Sequence, residues 1–231
     1  MIEILPAIIP EDFEDLKEKL AQVRGIAPIV QIDIVDGKFA PHPSWPYYKN
    51  DQEHFQKILR EEEGLPFWED FYFEADLMIE RPEEHIEDFI FAGFSRLVVH
   101  LESTEKMGEI IEMAKHMDTE IGIAINIDTP NSELEEWIER INFVQFMGIE
   151  KIGSQGQPFD PRVIEKISTL RREHPDIIIS VDGGVSLEIA PFLVGAGAER
   201  LISGSAIFES DDIEKTINDF RNIHPEGMYE E

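Results

Sequence analysis

Carboxylates and amides recur in this chain at the ends of short apolar runs. Gln31, Asp33 and Asp36 close one run, Glu74 and Asp76 another, Asn126 and Asp128 a third, and Asp182 a fourth. His100 and Glu102 end a further run, Ala7 lies near the end of the first, and Gly183–Gly184 and Gly204–Ser205 follow the last two. Side chains of these types can pass protons to and from a substrate or hold a hard divalent ion, and glycine N–H groups can cradle an anion. A hydrophobic core has no use for such a set, because buried charge is costly unless it is paired or bound to metal. Gln31 and Asp33 are two residues apart, so on a strand they share one face.

Such residues need a scaffold that gathers strand ends. The strand candidates are Ile4–Ile9, Ile29–Val35, Tyr72–Ile79, Arg96–His100, Ile121–Ile127, Phe143–Met147, Ile177–Val181 and Arg200–Ile202. They are short and rich in Ile and Val, as strands buried on both faces are. Helical patterns lie between them. Asp12–Val23 places Phe13, Leu16, Leu20 and Val23 on one face. Pro82–Ala92 starts with proline in its first turn and stops before Gly93. Asn131 and Ser132 are candidate caps for a helix over Glu133–Ile141, and Asp160–Pro161 opens Arg162–Arg172.

Strict alternation of eight strands with helices predicts an α/β protein, a closed parallel (β/α)8 TIM barrel. No linker interrupts it, so residues 1–231 are expected to form a single domain, with functional side chains at the carboxyl ends of the strands. No Gly-x-Gly-x-x-Gly follows the first strand, which argues against an open dinucleotide-binding sheet. The segment at about 40–71 is out of proportion and carries Trp45, Tyr47, Tyr48, Phe67, Trp68 and Phe71. It is expected to lie over the catalytic face or against a partner subunit, its aromatics serving packing more than ligand contact.

Composition excludes several classes. With 42% hydrophobic residues and a mean hydropathy of −0.24, the chain reads as a soluble globular protein. No apolar run approaches the roughly 18–20 residues of a membrane span, and the opening MIEILPAIIPEDFEDL lacks the pattern of a secretory leader. The chain has no cysteine, so disulfides and thiolate chemistry drop out and a cytoplasmic location is expected. The 49 acidic residues against 20 basic ones give a net charge of −29, which repels nucleic acid and anionic lipid. Neither is expected as a partner, and any phosphate site must rely on local backbone N–H groups.

Five motifs then fall in a familiar order. Leu5–Phe13 reads L-P-A-I-I-P-E-D-F, similar to S-P-S-I-L-S-A-D-F, and Gln31–Phe39 reads Q-I-D-I-V-D-G-K-F, similar to H-V-D-V-M-D-G-H-F. Asp76–Glu80 with Pro82, Phe89 and Ala92–Gly93 is similar to H-L-M-V-E-x-P followed by F-x-x-A-G. Val181–Val185 and Gly204–Phe208 are similar to V-D-G-G-I and G-S-A-I-F. Over nearly its whole length the chain resembles the ribulose-phosphate 3-epimerase family. The resemblance implies a ribulose-phosphate-binding barrel that inverts C3 of a ketopentose 5-phosphate. Two aspartates, here Asp33 and Asp182, would exchange protons through an enediolate whose oxygens a divalent metal stabilises. It further implies a phosphate held by Gly183, Gly184, Gly204 and Ser205 with Gly153 and Gly156 of a cover loop. Ala7, Met78, Lys38 and His100 would complete the pocket, a small phosphorylated sugar is the expected partner, and the protein is expected to be a homo-oligomer.

The chain also departs from that pattern. The family's metal site uses two histidines and two aspartates, and Gln31 and Asp76 stand at the histidine positions. One reading keeps a metal on Gln31, Asp33, Asp76 and Asp182, an all-oxygen set suited to Mg²⁺ or Mn²⁺ rather than Zn²⁺. The other drops the metal and leaves the aspartates as acid/base groups or relics. A third carboxylate raises its neighbours' pKa values unless a cation is present, which favours the first. An early serine is Ala7 here, and the cover loop Met147–Gln157 is a residue longer and carries Lys151. The 40–71 segment is roughly a dozen residues longer than usual. A related sugar-phosphate epimerase or lyase and a non-catalytic sugar-phosphate binder stay open as alternatives. The third strand lacks the Asp-x-Lys-x-x-Asp of the lyases. Lys38 could offset local negative charge, whereas His54, His85, His116, His174 and His224 are expected at the surface.

Overall fold

The computed structural model describes residues 2–48, 52–153 and 156–224; the acidic tail at 226–231, expected to be frayed, lies outside them. Eight parallel strands close in chain order into a barrel. They are β1 (Glu3–Ile8), β2 (Ile29–Val35), β3 (Tyr72–Met78), β4 (Phe94–His100), β5 (Glu120–Ile125), β6 (Phe143–Met147), β7 (Ile178–Asp182) and β8 (Arg200–Ser203). Around them lie α1 (Phe13–Val23), α2 (Glu53–Leu59), α3 (Ile86–Phe91), α4 (Met107–His116), α5 (Arg162–Glu173), α6 (Ala190–Ala196), α7 (Ser205–Phe208) and α8 (Ile213–Arg221). No helix among the described residues is long and apolar enough to cross a membrane.

Local chemistry explains the helix ends. Asp12 caps α1 by accepting from the Asp15 N–H at 2.9 Å, and Asp160 Oδ1 accepts from the Arg162 N–H at 3.0 Å at the start of α5. Gly93 follows α3 with a φ of 105°, a conformation that favours glycine. The segment Pro82–Ala92 divides into a 3₁₀ turn at Pro82–Glu84 and then α3. The helix expected over Glu133–Ile141 does not form. A 3₁₀ turn over Asn131–Leu134 stands there instead, and Asn131 Nδ2 donates to the Lys166 carbonyl at 2.8 Å rather than capping a helix. Bonds to the residue three back, such as Glu135 to Ser132 and Trp137 to Leu134, hold the rest of the segment in tight turns.

Period two sorts the strand side chains into two cores. Ile32, Ile34, Leu77, Leu97 and Val99 face outward and pack under the helices with Leu16, Leu20, Ile110 and Ile167. Val35, Met78, Val98, Ala124, Phe143 and Met147 face inward and fill the barrel interior up to its mouth. The long β2–β3 connection does two different things. Its first part packs inward: Trp45 is fully buried, donates its backbone N–H to the Pro10 carbonyl at 2.8 Å, and lies against Phe13 and Phe55. Its last part turns outward, leaving Trp68 64% exposed beside the start of β3. His54, expected at the surface, is half-buried, stacked on Phe13 and paired with Glu63.

Candidate active site

β2 and β3 run in register, setting Asp33 beside Asp76 and, one layer deeper, Gln31 beside Glu74. Asp182 ends β7, which lies beyond β1 and β8 from β2, and so comes in from across the mouth. Asp33, Asp76 and Asp182 each offer an oxygen, and these atoms lie within 4.8 Å of one another; Asp33 and Asp76 are buried, and Asp182 is half-buried where the cavity reaches it. The Gln31 amide joins two of the three: Nε2 donates to Asp33 Oδ1 at 2.8 Å and to Asp182 Oδ2 at 3.3 Å. Asp76 has partners of its own. His100 Nε2 lies 3.0 Å from its Oδ1, and Gln145 Nε2 donates to its Oδ2 at 3.2 Å. Among the described residues no lysine or arginine pairs with the three aspartates; the cation-capable partner is His100.

Three carboxylates this close cannot all stay ionised without a compensating charge. Burial, then the neighbouring Asp182 and Asp76, push Asp33 well above the usual carboxylate range. Burial and Asp76 push Asp182 up to about 7, although the Gln31 amide, the Gly183 N–H and His100 pull the other way. For His100 burial opposes the charged ring, but the Asp76 carboxylate outweighs it and raises the imidazole above its ordinary value. Perturbed groups gathered in one cleft mark a functional site more often than a structural one. The donor set also fits a hard cation. Its carboxylate atoms are oxygens, and Gln31, whose Nε2 faces Asp33 and Asp182, keeps a buried Oε1 without a hydrogen-bond partner that a turn of the amide would present to an ion.

A cavity opens above this cluster. Asp33 and Asp182 line it, with Ala7 and Met78 from the strand ends. Gly183, Gly184, Gly204 and Ser205 line its far side, and Gly153 and Gly156 of the β6–α5 loop border it as well. Residues 154 and 155 of that loop lie outside the described residues. Glycine at 184 is required twice over: its φ is +68°, and a Cβ there would meet the Phe159 backbone at 2.8 Å. Two expected pocket residues stand elsewhere. His100 lies behind the triad, its ring 5.4 Å from that of Phe39, and Lys38 is exposed, its N–H donated to Asp36 Oδ1 at 2.7 Å.

Not every carboxylate near the rim belongs to the site. Asp36 is saturated by backbone N–H groups, from Lys38 and Phe39 on one oxygen and Glu80 on the other, and so ties two loops together. Glu102 accepts from the Asn126 N–H and the Thr129 hydroxyl, and Asp128 is paired with Arg162 at 2.6 Å. Glu74 sits a layer below the rim, 1% exposed, paired with Arg96. Gln145 was not singled out in the sequence, where it reads as part of an apolar run.

Against known proteins, residues 3–208 match the model of the Ribulose-phosphate 3 epimerase family. The chain belongs to the ribulose-phosphate 3-epimerase family. A ribulose-phosphate 3-epimerase of Bacillus subtilis is 31% identical over 227 residues, covering 96% of this chain and 99% of that protein. One of Schizosaccharomyces pombe is 29% identical over 223 residues, covering 95% and 92%. As a member of this family the chain is an isomerase of the epimerase type. Solved structures share the fold at lower identity. A 3-hexulose-6-phosphate synthase of Salmonella typhimurium superposes with a TM-score of 0.67 at 15% identity, covering 95% of this chain and 96% of that one.

Proposed function

We propose that this epimerase interconverts D-ribulose 5-phosphate and D-xylulose 5-phosphate, with Asp33 and Asp182 as its two acid/base groups. The observation that carries the reading is the pair itself. The two carboxylates come from β2 and β7, line one cavity, and share the Gln31 amide. One carboxylate takes the proton from C3, and the C–H electron pair moves into the neighbouring carbonyl to give an enediolate. The other carboxylate, protonated at the start, delivers its proton to the opposite face of C3. A group that must be a base in one direction and an acid in the other works best with a pKa near the working pH. Asp182, at about 7, meets that condition.

Gln31, Asp33, Asp76 and Asp182 are the residues that would hold a divalent ion, Mg²⁺ or Mn²⁺ in preference to Zn²⁺, because they offer only hard oxygen donors. Such an ion supplies positive charge where the substrate's oxygens become negative. The phosphate rests on the N–H groups of Gly183, Gly184, Gly204 and Ser205, with Gly153 and Gly156 approaching from above. Neutral donors are the fitting choice in a chain whose net charge of −29 supplies no basic funnel.

The test is conversion of ribulose 5-phosphate by metal-stripped protein, with Mg²⁺, Mn²⁺, Zn²⁺ or nothing added back. The expected result is turnover restored best by Mg²⁺ or Mn²⁺ and abolished in Asp33→Asn and in Asp182→Asn. Folded protein that binds the sugar phosphate yet shows no turnover under any of these conditions would overturn the proposal.

A further inference from the structure

Asp76 has two dedicated partners. Gln145 stands on β6, in register with Ala124 of β5 and Ser180 of β7, and is fully buried with its side chain inside the barrel. It spends its amide donor on Asp76 Oδ2 at 3.2 Å, while its own Oε1 has no partner. His100, on β4, takes the other oxygen at 3.0 Å, and Phe39 covers its ring. One carboxylate thus has both oxygens fixed from two different strands. Asp33 and Asp182, by contrast, share the single Gln31 amide.

A buried glutamine with an unsatisfied carbonyl is a poor choice for stability alone. Leaving its Oε1 unpaired is costly, and the residue bears that cost while its Nε2 holds Asp76. The residue makes sense if the orientation of Asp76 is what it secures. We infer that Gln145, with His100, is a positioning residue that presents the Asp76 carboxylate to a divalent ion shared with Asp33 and Asp182. The inference rests on the metal-dependent reading above and deepens it. Hydrogen-bond partners behind a ligating carboxylate fix its angle, and their loss typically weakens metal binding by about 10–100-fold.

The experiment compares wild type, Gln145→Leu, Asp76→Asn and the double variant. Mn²⁺ affinity is read by calorimetry, unfolding is read in metal-free buffer, and kcat and KM are read with saturating Mn²⁺. The expected result is a fall in Mn²⁺ affinity of about 10-fold or more in folded Gln145→Leu protein. KM for the sugar phosphate stays unchanged in that variant. In the Asp76→Asn background the leucine adds no further loss, because the two residues act as a unit. Wild-type Mn²⁺ affinity in a folded Gln145→Leu protein overturns the inference and leaves the epimerase reading intact. A loss of metal-free stability with unchanged Mn²⁺ affinity overturns it in favour of packing. Wild-type protein that takes up no Mn²⁺ overturns the inference and the metal-dependent reading together.

Discussion

The two ends of the barrel interior solve the problem of buried charge in opposite ways. At the amino ends of the strands, Arg96 reaches Glu3 at 3.2 Å, Glu74 at 3.2 Å and Glu120 at 3.1 Å, and Arg200 adds a 2.8 Å pair to Glu3. Each of these three carboxylates has a guanidinium partner. The Arg200 guanidinium lies over the Phe143 ring at 4.9 Å, closing the bottom of the inner core. At the carboxyl ends, Asp33, Asp76 and Asp182 crowd together with one imidazole as counter-charge. β3 contributes to both clusters, Glu74 below and Asp76 above, two residues apart. The lower cluster is balanced by the chain itself and reads as structure. The upper cluster lacks that balance, and its three close carboxylates suit an added cation.

The largest expected effect falls on the upper end. Asp33→Asn or Asp182→Asn should lower turnover on the order of 10³-fold, as expected for a lost acid/base group. Each should also make the metal-free protein more stable, because one of three crowded carboxylates is gone. A variant that loses both activity and stability would mean that the triad is a structural feature like the cluster below. The lower end should behave in the reverse sense. Arg96→Leu strands the buried Glu74 and should cost about 3–5 kcal/mol in denaturant unfolding, while folded protein keeps its KM. Wild-type stability in Arg96→Leu would erase the distinction between the two ends.

How much of this contrast the sequence disclosed depends on which signal each residue carried. The strands were legible because Ile- and Val-rich runs of matching length alternate with amphipathic stretches; β2 and β6 fall on the expected bounds and the others within two residues. Asp33, Asp76 and Asp182 stood out as carboxylates ending such runs, and each reaches the cluster. Glu74 looked equally suited to the rim, but at about 3.3 Å per residue two positions lower it sits in another layer with another partner. Arg96, which pairs with it, and Arg200 beside them stand at the start of the expected strands Arg96–His100 and Arg200–Ile202, where surface residues would stand. Gln145 was hidden inside Phe143–Met147, where only its inward parity with Phe143 and Met147 signals a buried amide. The Glu133–Ile141 region misled because its spacing suits a helix, whereas its expected cap Asn131 is taken by Lys166 of α5, far along the chain, which also anchors the preceding residues 126 and 127.

A smaller effect separates the two ends by pH. Asp33 and Asp182 have folded-state pKa values above their unfolded value of 3.8, Asp182 at about 7. Between those values the folded chain binds more protons than the unfolded one, so stability falls as pH rises. The Asp182 contribution is fully present below about pH 4 and is gone once the pH passes about 7. Metal-free protein should therefore unfold at a lower midpoint near about pH 8 than near about pH 5. Glu74, raised to about 7 by burial against the opposing pull of Arg96 and Arg200, adds a slope of the same sign from the lower end. The double variant Asp33→Asn/Asp182→Asn removes the upper contribution and leaves the lower one, so its midpoint should depend less steeply on pH than that of wild type. Added Mn²⁺ should oppose the fall in wild type alone, because its ligands bind as carboxylates and uptake strengthens as protons leave. Equal slopes in the two metal-free proteins would mean that the triad carries no more uncompensated charge than the cluster beneath it. The comparison would then have to rest on the arginines alone.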